Sequence, residues 1–473
     1  MFSVTAGHPG DLVDIGAFID TLNTLDLNPV ESARGLFTTD EALTVARAPG
    51  RLDLMGGIAD YSGSLVLQYP IAEAALCGVQ SASARKLRIV SLGGEGRTPD
   101  FACHLDELFP GGAALSYEDA RTWFARDPER SWAAYVAGSL IVLAHERGLA
   151  PGVGLNILID SAVPEGKGVS SSAAIEVATM TALNSMLGLG LTSHEIALLC
   201  QRVENLVVGA PCGVMDQIAS SCGEAGALLA IRCQPAEILS TLAIPADLGV
   251  WGIDSGLRHA VSGADYGTVR AAAFMGKRLL SALPDAGLTE IDHLANLTPH
   301  VLLPHEEKLP EMMTGAEFLT RFKDHGDPVT LVLTDREYPV RAATVHPVVE
   351  NHRVETFGTL LGEPSSAERN RLLGELMYQS HASYTRCGLG SSGTDRLVAL
   401  IQAEAPRAPR FWGAKITGGG SGGTVALLGD ADAGARVAAI AEVYARETGK
   451  PPYVFSGSSP GAARFGTLTL SPV

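Results

Sequence analysis

Residues 164 to 174 read Pro164-Glu165-Gly166-Lys167-Gly168-Val169-Ser170-Ser171-Ser172-Ala173-Ala174. The apolar run 155–159 before this stretch is typical of a β-strand, and the small and apolar residues after it recur at helical spacing. A glycine loop that opens a helix presents free backbone N–H groups and the positive end of the helix dipole. The stretch therefore predicts an anion site, with a nucleotide phosphate as the first candidate. The alternative is an ordinary strand-to-helix turn with a serine N-cap.

The loop is not a P-loop of the form G-x-x-x-x-G-K-[S/T], because Lys167 is followed by Gly168. Its assignment therefore depends on the motifs elsewhere in the chain.

Composition limits the classes of protein to consider. The chain has 473 residues, of which 46% are apolar and 18% charged, as in globular proteins with a large core. At about 150 residues per domain, this length predicts two or three domains. The 35 basic and 52 acidic residues give a net charge of −17. Nucleic acids and anionic membranes require a basic patch, so we expect neither as a partner.

The cysteines and the N-terminal region indicate a compartment. The seven cysteines are scattered and form no C-x-x-C pair, so we expect reduced, mostly buried thiols and a cytoplasmic location. Residues 1–16 lack the basic start of a signal peptide. The longest apolar run, 132–144, is shorter than the ~20 residues of a membrane helix and predicts a buried helix. We expect a monomer or a weak homodimer.

Strand-like and helix-like patterns mix along the chain, which predicts an α+β fold in two domains. A composition shift near 235–250 places the boundary, so we predict an N-terminal domain over 1–240 and a C-terminal domain over 241–473. Residues 1–44 are interpreted as an extension of one or two helices without a readable function, and 284–347 also has none. The active site is expected in the cleft between the domains.

Individual elements are predicted from local patterns. Strands are expected at 65–67, 75–79, 87–92, 155–159, 227–231, 250–253, 414–416, 424–428 and 453–455. Helices are expected at 117–150, 193–208, 268–283, 315–322, 348–361 and 366–384, besides the one that follows the glycine loop.

Two charged residues stand out between residues 46 and 71. Arg51 lies between a predicted Pro-Gly turn and an apolar Leu52/Leu54 alternation, so it is predicted at the start of a strand. Asp60 lies in a glycine-rich loop before the next strand. An arginine at such a place can stabilise phosphoryl charge, and an aspartate can accept hydrogen bonds from sugar hydroxyls. Each is also consistent with a surface ion pair or an Asx turn.

A second acidic motif reads Gly213-Val214-Met215-Asp216-Gln217. Asp216 is predicted at a loop–helix junction flanked by apolar groups. Poor solvation and a nearby arginine would make it a general base, whereas the simpler interpretation is an acid that interacts with the helix dipole. Glu204, on the preceding helix, is either a metal ligand or a solvated helix residue.

Residues 415–424 read Lys415-Ile416-Thr417-Gly418-Gly419-Gly420-Ser421-Gly422-Gly423-Thr424. The glycines match G-x-G-x-x-G, but a strand and not a helix follows, so this is not a dinucleotide fingerprint. We predict a tight β-turn whose bare backbone packs close to another loop or to a ligand.

Taken together, these motifs resemble those of the GHMP small-molecule kinases, and within them the galactokinase group. Residues 49–61 are similar to the first signature of that group, 164–174 to the second and 417–423 to the third. Segment 213–217 resembles its catalytic aspartate segment, 254–259 with Tyr266 its sugar-side loop, and 387–398 another C-terminal segment. The resemblance runs from about residue 44 to the end, with the motifs in the family's order. It implies the two-domain fold of that family and phosphoryl transfer from ATP to a small-molecule sugar.

The resemblance also implies a role for individual positions. Asp216 would be the base for a sugar hydroxyl, and Arg51 would stabilise the transferring phosphoryl group and keep Asp216 ionised. Ser172 and Glu204 would bind Mg²⁺. The residues that would wrap the ATP phosphates are Pro164, Gly166, Lys167, Gly168, Val169, Ser170, Ser171 and Ser172. Those that would face the sugar are Asp60, Gly57, Ile58, Gly213 and Tyr266.

One departure from the family indicates the sugar. Galactokinases carry Glu-His where this chain has Gly57-Ile58, and the resemblance implies that this pair contacts the exocyclic end of the hexose. That end of the pocket would then lack polar groups and could be filled by Ile58, and a sugar hydroxyl facing this apolar wall would cost about 1–3 kcal/mol. A pentopyranose with galactose-like ring stereochemistry avoids that cost, so β-L-arabinopyranose, phosphorylated on its anomeric hydroxyl to β-L-arabinose 1-phosphate, is the expected substrate.

Other activities are kept as alternatives. A galactokinase or a uronic-acid 1-kinase shares the family motifs, although nothing basic replaces the lost pair for a uronate. A catalytically silent sugar- and ATP-binding regulator is disfavoured because Arg51, Asp216 and the serines are intact. A kinase of a non-sugar is disfavoured by the segment around Tyr266.

Overall fold

The computed structural model describes residues 1–93, 98–150, 152–257, 264–283, 287–288 and 290–472. The strands are β1 (Phe2–Ala6), β2 (Leu43–Met55), β3 (Leu65–Ala82), β4 (Lys86–Ser91), β5 (Asp100–His104), β6 (Gly154–Ser161), β7 (Ala227–Arg232), β8 (Glu237–Ala243), β9 (Leu248–Asp254), β10 (Met313–Thr314), β11 (Glu337–Tyr338), β12 (Phe411–Ile416), β13 (Thr424–Asp430), β14 (Val454–Ser456) and β15 (Thr467–Pro472).

The helices are α1 (Val13–Asn23), α2 (Leu105–Leu108), α3 (Tyr117–Ala125), α4 (Ala134–Arg147), α5 (Ser171–Leu187), α6 (Ser193–Arg202), α7 (Met215–Cys222), α8 (Ala264–Ser281), α9 (Pro299–Leu302), α10 (Gly315–Arg321), α11 (Val340–Gly362), α12 (Ala367–Arg386), α13 (Ser392–Glu404), α14 (Gly434–Thr448) and α15 (Ala462–Phe465). A π-helical segment, Val203–Val208, continues α6.

The first sheet runs in the order β1-β15-β2-β3-β6-β4-β5. In addition, β7 pairs with the N-terminal part of β3, and β8 pairs with β7. Strand β2 is buried along its whole length, because both faces of the sheet are covered there. On one face, α4, α5 and α6 pack on the sheet and form the largest apolar core. On the other face, α1 covers β2 and β15 with Phe18 and Leu22.

Residues 1–44 thus complete the first sheet and cover one of its faces. Our prediction of helices only for this segment is wrong, because β1 pairs antiparallel with β15 at the edge of the sheet. Both strands alternate apolar and polar residues, as half-buried strands do, but the alternation is short and the pairing joins residues from the two ends of the chain. The division at residue 240 stays a prediction, and β15 is a return of the C-terminal part into the first sheet.

The second sheet, in the order β12-β13-β9-β14, carries α13 and α14 on one face. Helices α8 and α11 form a further apolar core with α12 and residues of the β2–β3 connection. Helix α11 continues through Pro347, although proline disfavours a helix interior, whereas the prediction started the helix at residue 348.

Most predicted elements are confirmed within one to four residues of their bounds, and the α+β fold class is confirmed with them. Three predictions differ from the structure. Runs 65–67 and 75–79 belong to the single strand β3, and Arg51 lies in the interior of β2 and not at a strand start. The predicted helix 117–150 is broken into α3 and α4 around Pro128, a local helix breaker that the prediction overlooked. The Pro49-Gly50 pair makes a register shift in β2, not a turn.

The cysteines are free thiols in the structure, and five of the seven are buried. Among the described residues, no helix combines the length and the apolarity needed to cross a bilayer. The same residues contain no cluster of three or more His, Cys, Asp or Glu side chains suited to a metal ion.

Candidate active site

The centre of the candidate site is an arginine–aspartate pair formed by residues 165 positions apart in the sequence. Arg51 donates from Nε (2.9 Å) and Nη2 (2.7 Å) to Oδ1 of Asp216. Its Nη1 donates to the carbonyl oxygen of Gly168 at 2.7 Å. The guanidinium of Arg51 is therefore fixed between the glycine loop and the first turn of α7. The local sequence patterns singled out Arg51 and Asp216 separately, and the structure brings them into contact.

Packing between β2 and two neighbouring segments creates this meeting. The hydroxyl of Ser220 on α7 donates to the carbonyl of Pro49 at 2.7 Å. The backbone N–H of Arg51 donates to the carbonyl of Val169 at 3.1 Å. A side chain at Gly50 would place Cβ only 2.6 Å from that same carbonyl, so glycine is required for the loop and the strand to approach.

Arg51 is buried and stays charged. Burial lowers the pKa of its guanidinium, but the neighbouring carboxylates of Asp216 and Asp53 outweigh that effect and raise the pKa above its ordinary value. Asp53 itself is fully buried and accepts hydrogen bonds from Lys415 Nζ (2.6 Å) and Gln68 Nε2 (2.7 Å). A permanent positive charge thus lies at the floor of the cleft.

The glycine–serine loop forms one wall of an open cleft. Five of the predicted phosphate-binding residues line it: Gly166, Gly168, Ser170, Ser171 and Ser172. Ser170 has a left-handed backbone (φ +62°), and its buried Oγ has no hydrogen-bond partner among the described residues. An unpaired hydroxyl beside the N-terminus of the 17-residue helix α5 fits an anionic ligand.

The other three predicted phosphate-binding residues do not line the cleft. Lys167 forms an ion pair with Asp254 at the end of β9, and its carbonyl accepts from Thr424 Oγ1 at 2.8 Å. Val169 is buried in the core, and Pro164 lies before the loop. Lys167 thus ties the loop to the second sheet, a role that its place between two glycines did not indicate.

The two candidate metal ligands lie together. Ser172 and Glu204 both line the cleft. Burial and the nearby Asp216 raise the pKa of Glu204 to about 7. Hydroxyl and carboxylate oxygens are donors that Mg²⁺ prefers, so this pair fits a magnesium ion that also binds phosphate.

Sequence reasoning missed the support behind Glu204. Gln217 Nε2 donates to Glu204 (2.6 Å) and to the fully buried Glu176 on α5 (3.1 Å). Burial and the charge of Glu204 raise the pKa of Glu176 well above its ordinary value. The one sequence signal for this support was the position of Gln217 next to Asp216. Successive residues on a helix point in different directions, so Gln217 was expected to contact groups other than those that Asp216 contacts.

Three of the predicted sugar-facing residues form the other end of the cleft, namely Asp60, Gly213 and Tyr266. The Tyr266 hydroxyl is 3.5 Å from Asp60 Oδ1. A Cβ at Gly213 would lie 1.7 Å from Asp60 Oδ2, so only glycine lets the Asp216 segment pass this carboxylate. Burial and the charge of Asp216 raise the pKa of Asp60 to about 6.

The remaining two, Gly57 and Ile58, lie behind the cleft wall and do not line it. Ile58 is fully buried in the helical core, with a strained positive φ of 52°. A Cβ at Gly57 would lie 1.7 Å from the hydroxyl of Tyr384. The expectation that Ile58 fills the cleft is therefore wrong, although neither position gives the cleft a polar side chain. Segment 258–263, part of the predicted sugar-side loop, is outside the described residues.

The third glycine motif packs against the glycine–serine loop at 166–172, the predicted phosphate loop. The turn between β12 and β13 brings Gly419 to the cleft. A Cβ at Gly418 would be 2.7 Å from the Gly168 carbonyl, and one at Gly423 would be 2.8 Å from the Lys167 carbonyl. The predicted role of this turn, backbone packing against another loop, agrees with these distances.

Comparison with solved structures identifies the fold. The structure of Lactococcus lactis galactokinase complexed with galactose superposes with a TM-score of 0.70 at 21% identity, covering 94% of this chain and 99% of that one. The fold is therefore that of a two-domain small-molecule kinase.

Sequence comparisons then give the family. Residues 134–224 match the GHMP kinases N terminal domain, and residues 364–446 match GHMP kinases C terminal. A galactokinase from Streptomyces coelicolor is 30% identical over 88% of this chain and 92% of its own length. The chain belongs to the GHMP kinase family.

One relative has a much higher identity. L-Arabinokinase from Arabidopsis thaliana is 44% identical over 99% of this chain. The match covers 52% of the plant protein, so the chain spans about half the length of that relative.

Proposed function

We propose that this protein is an ATP- and Mg²⁺-dependent sugar 1-kinase that phosphorylates the anomeric hydroxyl of L-arabinose. The observation that carries the kinase activity is the Arg51–Asp216 pair hydrogen-bonded to the glycine–serine loop in one cleft. The sugar is supported by the 44% identity to a plant L-arabinokinase over nearly the whole chain.

The arrangement accounts for phosphoryl transfer through positioning and charge. Asp216 takes the proton from the anomeric hydroxyl, whose oxygen then bonds to the γ-phosphorus of ATP. The bond from this phosphorus to the bridging oxygen breaks, and ADP leaves with the electron pair. Arg51 supplies a buried positive charge beside the transferring group.

Several other groups bind and orient the two substrates. The N–H groups at the start of α5, with Ser170 and Ser171, would hold the phosphates. A bound Mg²⁺ would neutralise phosphate charge, and Ser172 and Glu204 are the side chains that would hold it. Asp60 would accept hydrogen bonds from the sugar hydroxyls.

Galactose is the second candidate substrate, because galactokinases are 30% identical over most of this chain. The structure favours a smaller sugar only indirectly: neither Gly57 nor Ile58 presents a polar group to the cleft. An exocyclic hydroxyl would therefore find no partner from these two positions.

The test measures ADP release with L-arabinose, galactose, galacturonate and glucuronate at matched concentrations. The proposal expects L-arabinose to give the highest kcat/KM and phosphorus NMR to identify an anomeric phosphate. The Asp216→Asn protein measures background ATP hydrolysis. A clear preference for galactose or for a uronate would overturn the choice of sugar, and ADP release equal to that background with all four sugars would overturn the kinase activity.

A further inference from the structure

Arg270, on α8, is a buried cation that the proposed reaction does not use. Only 6% of its surface is exposed. Its Nε and Nη2 donate to the two carboxylate oxygens of Asp327 at 2.8 and 2.9 Å, which makes a bidentate pair. Its Nη1 donates to the carbonyl of Cys212 at 3.2 Å. One guanidinium thus joins the segment that leads to Asp216 with a distant loop.

The surroundings of Arg270 belong to the sugar end of the cleft. Cys212 lines the cleft, and so does Tyr266, which lies one helical turn before Arg270 on α8. The guanidinium carbon is 5.7 Å from the ring centroid of Tyr61, the residue after Asp60. Arg270 therefore contacts or adjoins each of the segments that carry Asp60, Tyr266 and Gly213.

Asp327 is fixed by its own loop. Its side chain is fully buried and accepts from Thr330 Oγ1 at 2.6 Å and from the N–H groups of Val329 (3.2 Å) and Thr330 (3.3 Å). Burial raises its pKa, but the hydrogen bonds and charge of Arg270 outweigh burial and lower it. The loop belongs to segment 284–347, for which the sequence indicated no function.

We propose that Asp327 is a positioning residue which, through Arg270, fixes the sugar-binding wall of the cleft. We call Asp327 and Arg270 together the wall clamp. The inference rests on the proposed function, since it assigns the loop at Asp327 a part in binding the sugar. A bidentate pair restrains the guanidinium in one plane, and in that plane Nη1 reaches the Cys212 carbonyl while the group lies over the Tyr61 ring.

The wall clamp also sets the charge that Asp60 experiences. Arg270 lowers the pKa of Asp60, against the larger effects of burial and Asp216. Asp327 partly neutralises that cation. The titratable and charged groups that face Asp60 among the described residues are Asp53, Tyr61, Cys212, Asp216, Cys233, Tyr266, Arg270 and Tyr384.

Two variants of the full chain test the clamp, Arg270→Met and Asp327→Asn. Both should raise the KM for the sugar by about tenfold or more, as expected for loss of a charged hydrogen bond, with smaller changes in kcat and in the KM for ATP. The acid limb of the pH profile of kcat/KM for the sugar should move in opposite directions in the two variants. Loss of the cation in Arg270→Met shifts it to higher pH, and loss of the neutralising carboxylate in Asp327→Asn shifts it to lower pH.

The matched control is Arg278→Met, on the same helix. Arg278 is exposed and does not line the cleft. Its guanidinium carbon lies 5.6 Å from the ring centroid of Phe322, which belongs to segment 284–347 as Asp327 does. Its kinetic constants should match the wild-type values. Circular dichroism and thermal melting identify any variant that fails to fold. In that case the wall clamp is tested with the other variant and with Arg270→Lys, which keeps the charge.

The outcomes separate this inference from the proposed function. If the wild-type protein prefers a sugar other than L-arabinose, the proposed substrate fails, and the clamp is measured with the preferred sugar. If folded variants keep the wild-type sugar KM, or if both acid limbs move in the same direction, the wall clamp is overturned while the kinase activity stands.

Discussion

Asp216 uses its two carboxylate oxygens differently. Both hydrogen bonds from Arg51 end on Oδ1, so in the proposed mechanism Oδ2 would take the proton from the substrate. The side chain is 20% exposed, which keeps it accessible from the cleft while Arg51, at 3%, is covered. In the proposed mechanism, Arg51 thus supplies the fixed charge and Asp216 the proton acceptor.

Asp216→Asn tests this division. We expect kcat to fall by about 10²–10⁴-fold, because an amide keeps the shape and loses the base. The affinity for the sugar, measured by titration calorimetry, should change by only a few-fold. The exposed Asp432→Asn serves as the control and should be indistinguishable from wild type. Parallel loss of sugar binding would show that Asp216 mainly organises the cleft.

Asp60 makes a prediction about stability and pH. Its pKa in the folded protein is about 6, above its ordinary value of 3.8, because of burial and the charge of Asp216. A raised pKa means that the folded state favours the protonated form, so the contribution of Asp60 to stability is full below pH 3.8 and is lost as the pH rises through 6. Above pH 6 the ionised group destabilises the fold by up to about 3 kcal/mol.

Asp60→Asn removes this ionisation penalty, and it also removes the carboxylate that would bind the sugar. The variant should melt at a higher temperature than wild type at pH 8, with the difference vanishing near pH 4, and should bind sugar more weakly. Differential scanning calorimetry at both pH values measures the effect, with the exposed Asp335→Asn as control. A melting difference that is the same at both pH values would contradict the assignment of the cost to ionisation.

At the scale of elements, two glycine-rich turns make one surface. The β12–β13 turn packs its backbone on the phosphate loop, and Thr424 and Lys167 join them by a hydrogen bond. Gly423 has a positive φ of 75° and leaves only 2.8 Å between its missing Cβ and the Lys167 carbonyl. The position of the phosphate loop therefore depends on a turn more than 240 residues further along the chain.

Gly423→Ala should displace the phosphate loop and raise the KM for ATP by about tenfold, with a loss of stability of about 1–3 kcal/mol from overpacking. Gly449→Ala is the matched control, since Gly449 also has φ +75° but nothing lies within 4 Å of its missing Cβ. The control incurs the backbone strain alone. Equal ATP KM values for the two variants would show that the close approach is unimportant.

At the scale of the whole molecule, a buried ion pair joins the two sheets. Lys415 on β12 donates to Asp53 on β2 at 2.6 Å, and both side chains are fully buried. Lys415 also lies 5.0 Å from the ring centroid of Tyr384, whose hydroxyl donates to the Gly418 carbonyl. The pair therefore fixes the first signature, the third glycine motif and α12 relative to one another.

Lys415→Met should destabilise the fold by about 3–5 kcal/mol, because it leaves the buried Asp53 carboxylate without its cation. Adding Asp53→Asn should recover part of that loss, since the orphaned charge is removed. Urea unfolding measures both, and Arg396→Met, which breaks an exposed pair with Glu447, should leave the midpoint unchanged. A Lys415→Met protein as stable as wild type would contradict the structural role of the pair.

How much could be predicted from the sequence depended on the range of the interaction. The strand, glycine loop and helix at 154–187 follow from local chemistry, because apolar periodicity and glycine placement act over a few residues. The same holds for Asp216 at the start of a helix and for the turn at 417–423. The motifs in order therefore sufficed for the family and for most of the cleft residues.

Only the tertiary structure decided which of those residues meet. The sequence could not indicate that Lys167 turns to Asp254, that Ile58 enters the helical core, or that Tyr384 occupies the space beside Gly57. It also gave no sign that Asp327 reaches Arg270 or that β15 pairs with β1 and β2. Each of these contacts joins segments that are far apart in the chain, and its formation depends on the packing of whole sheets and helices, which no local pattern of residues encodes.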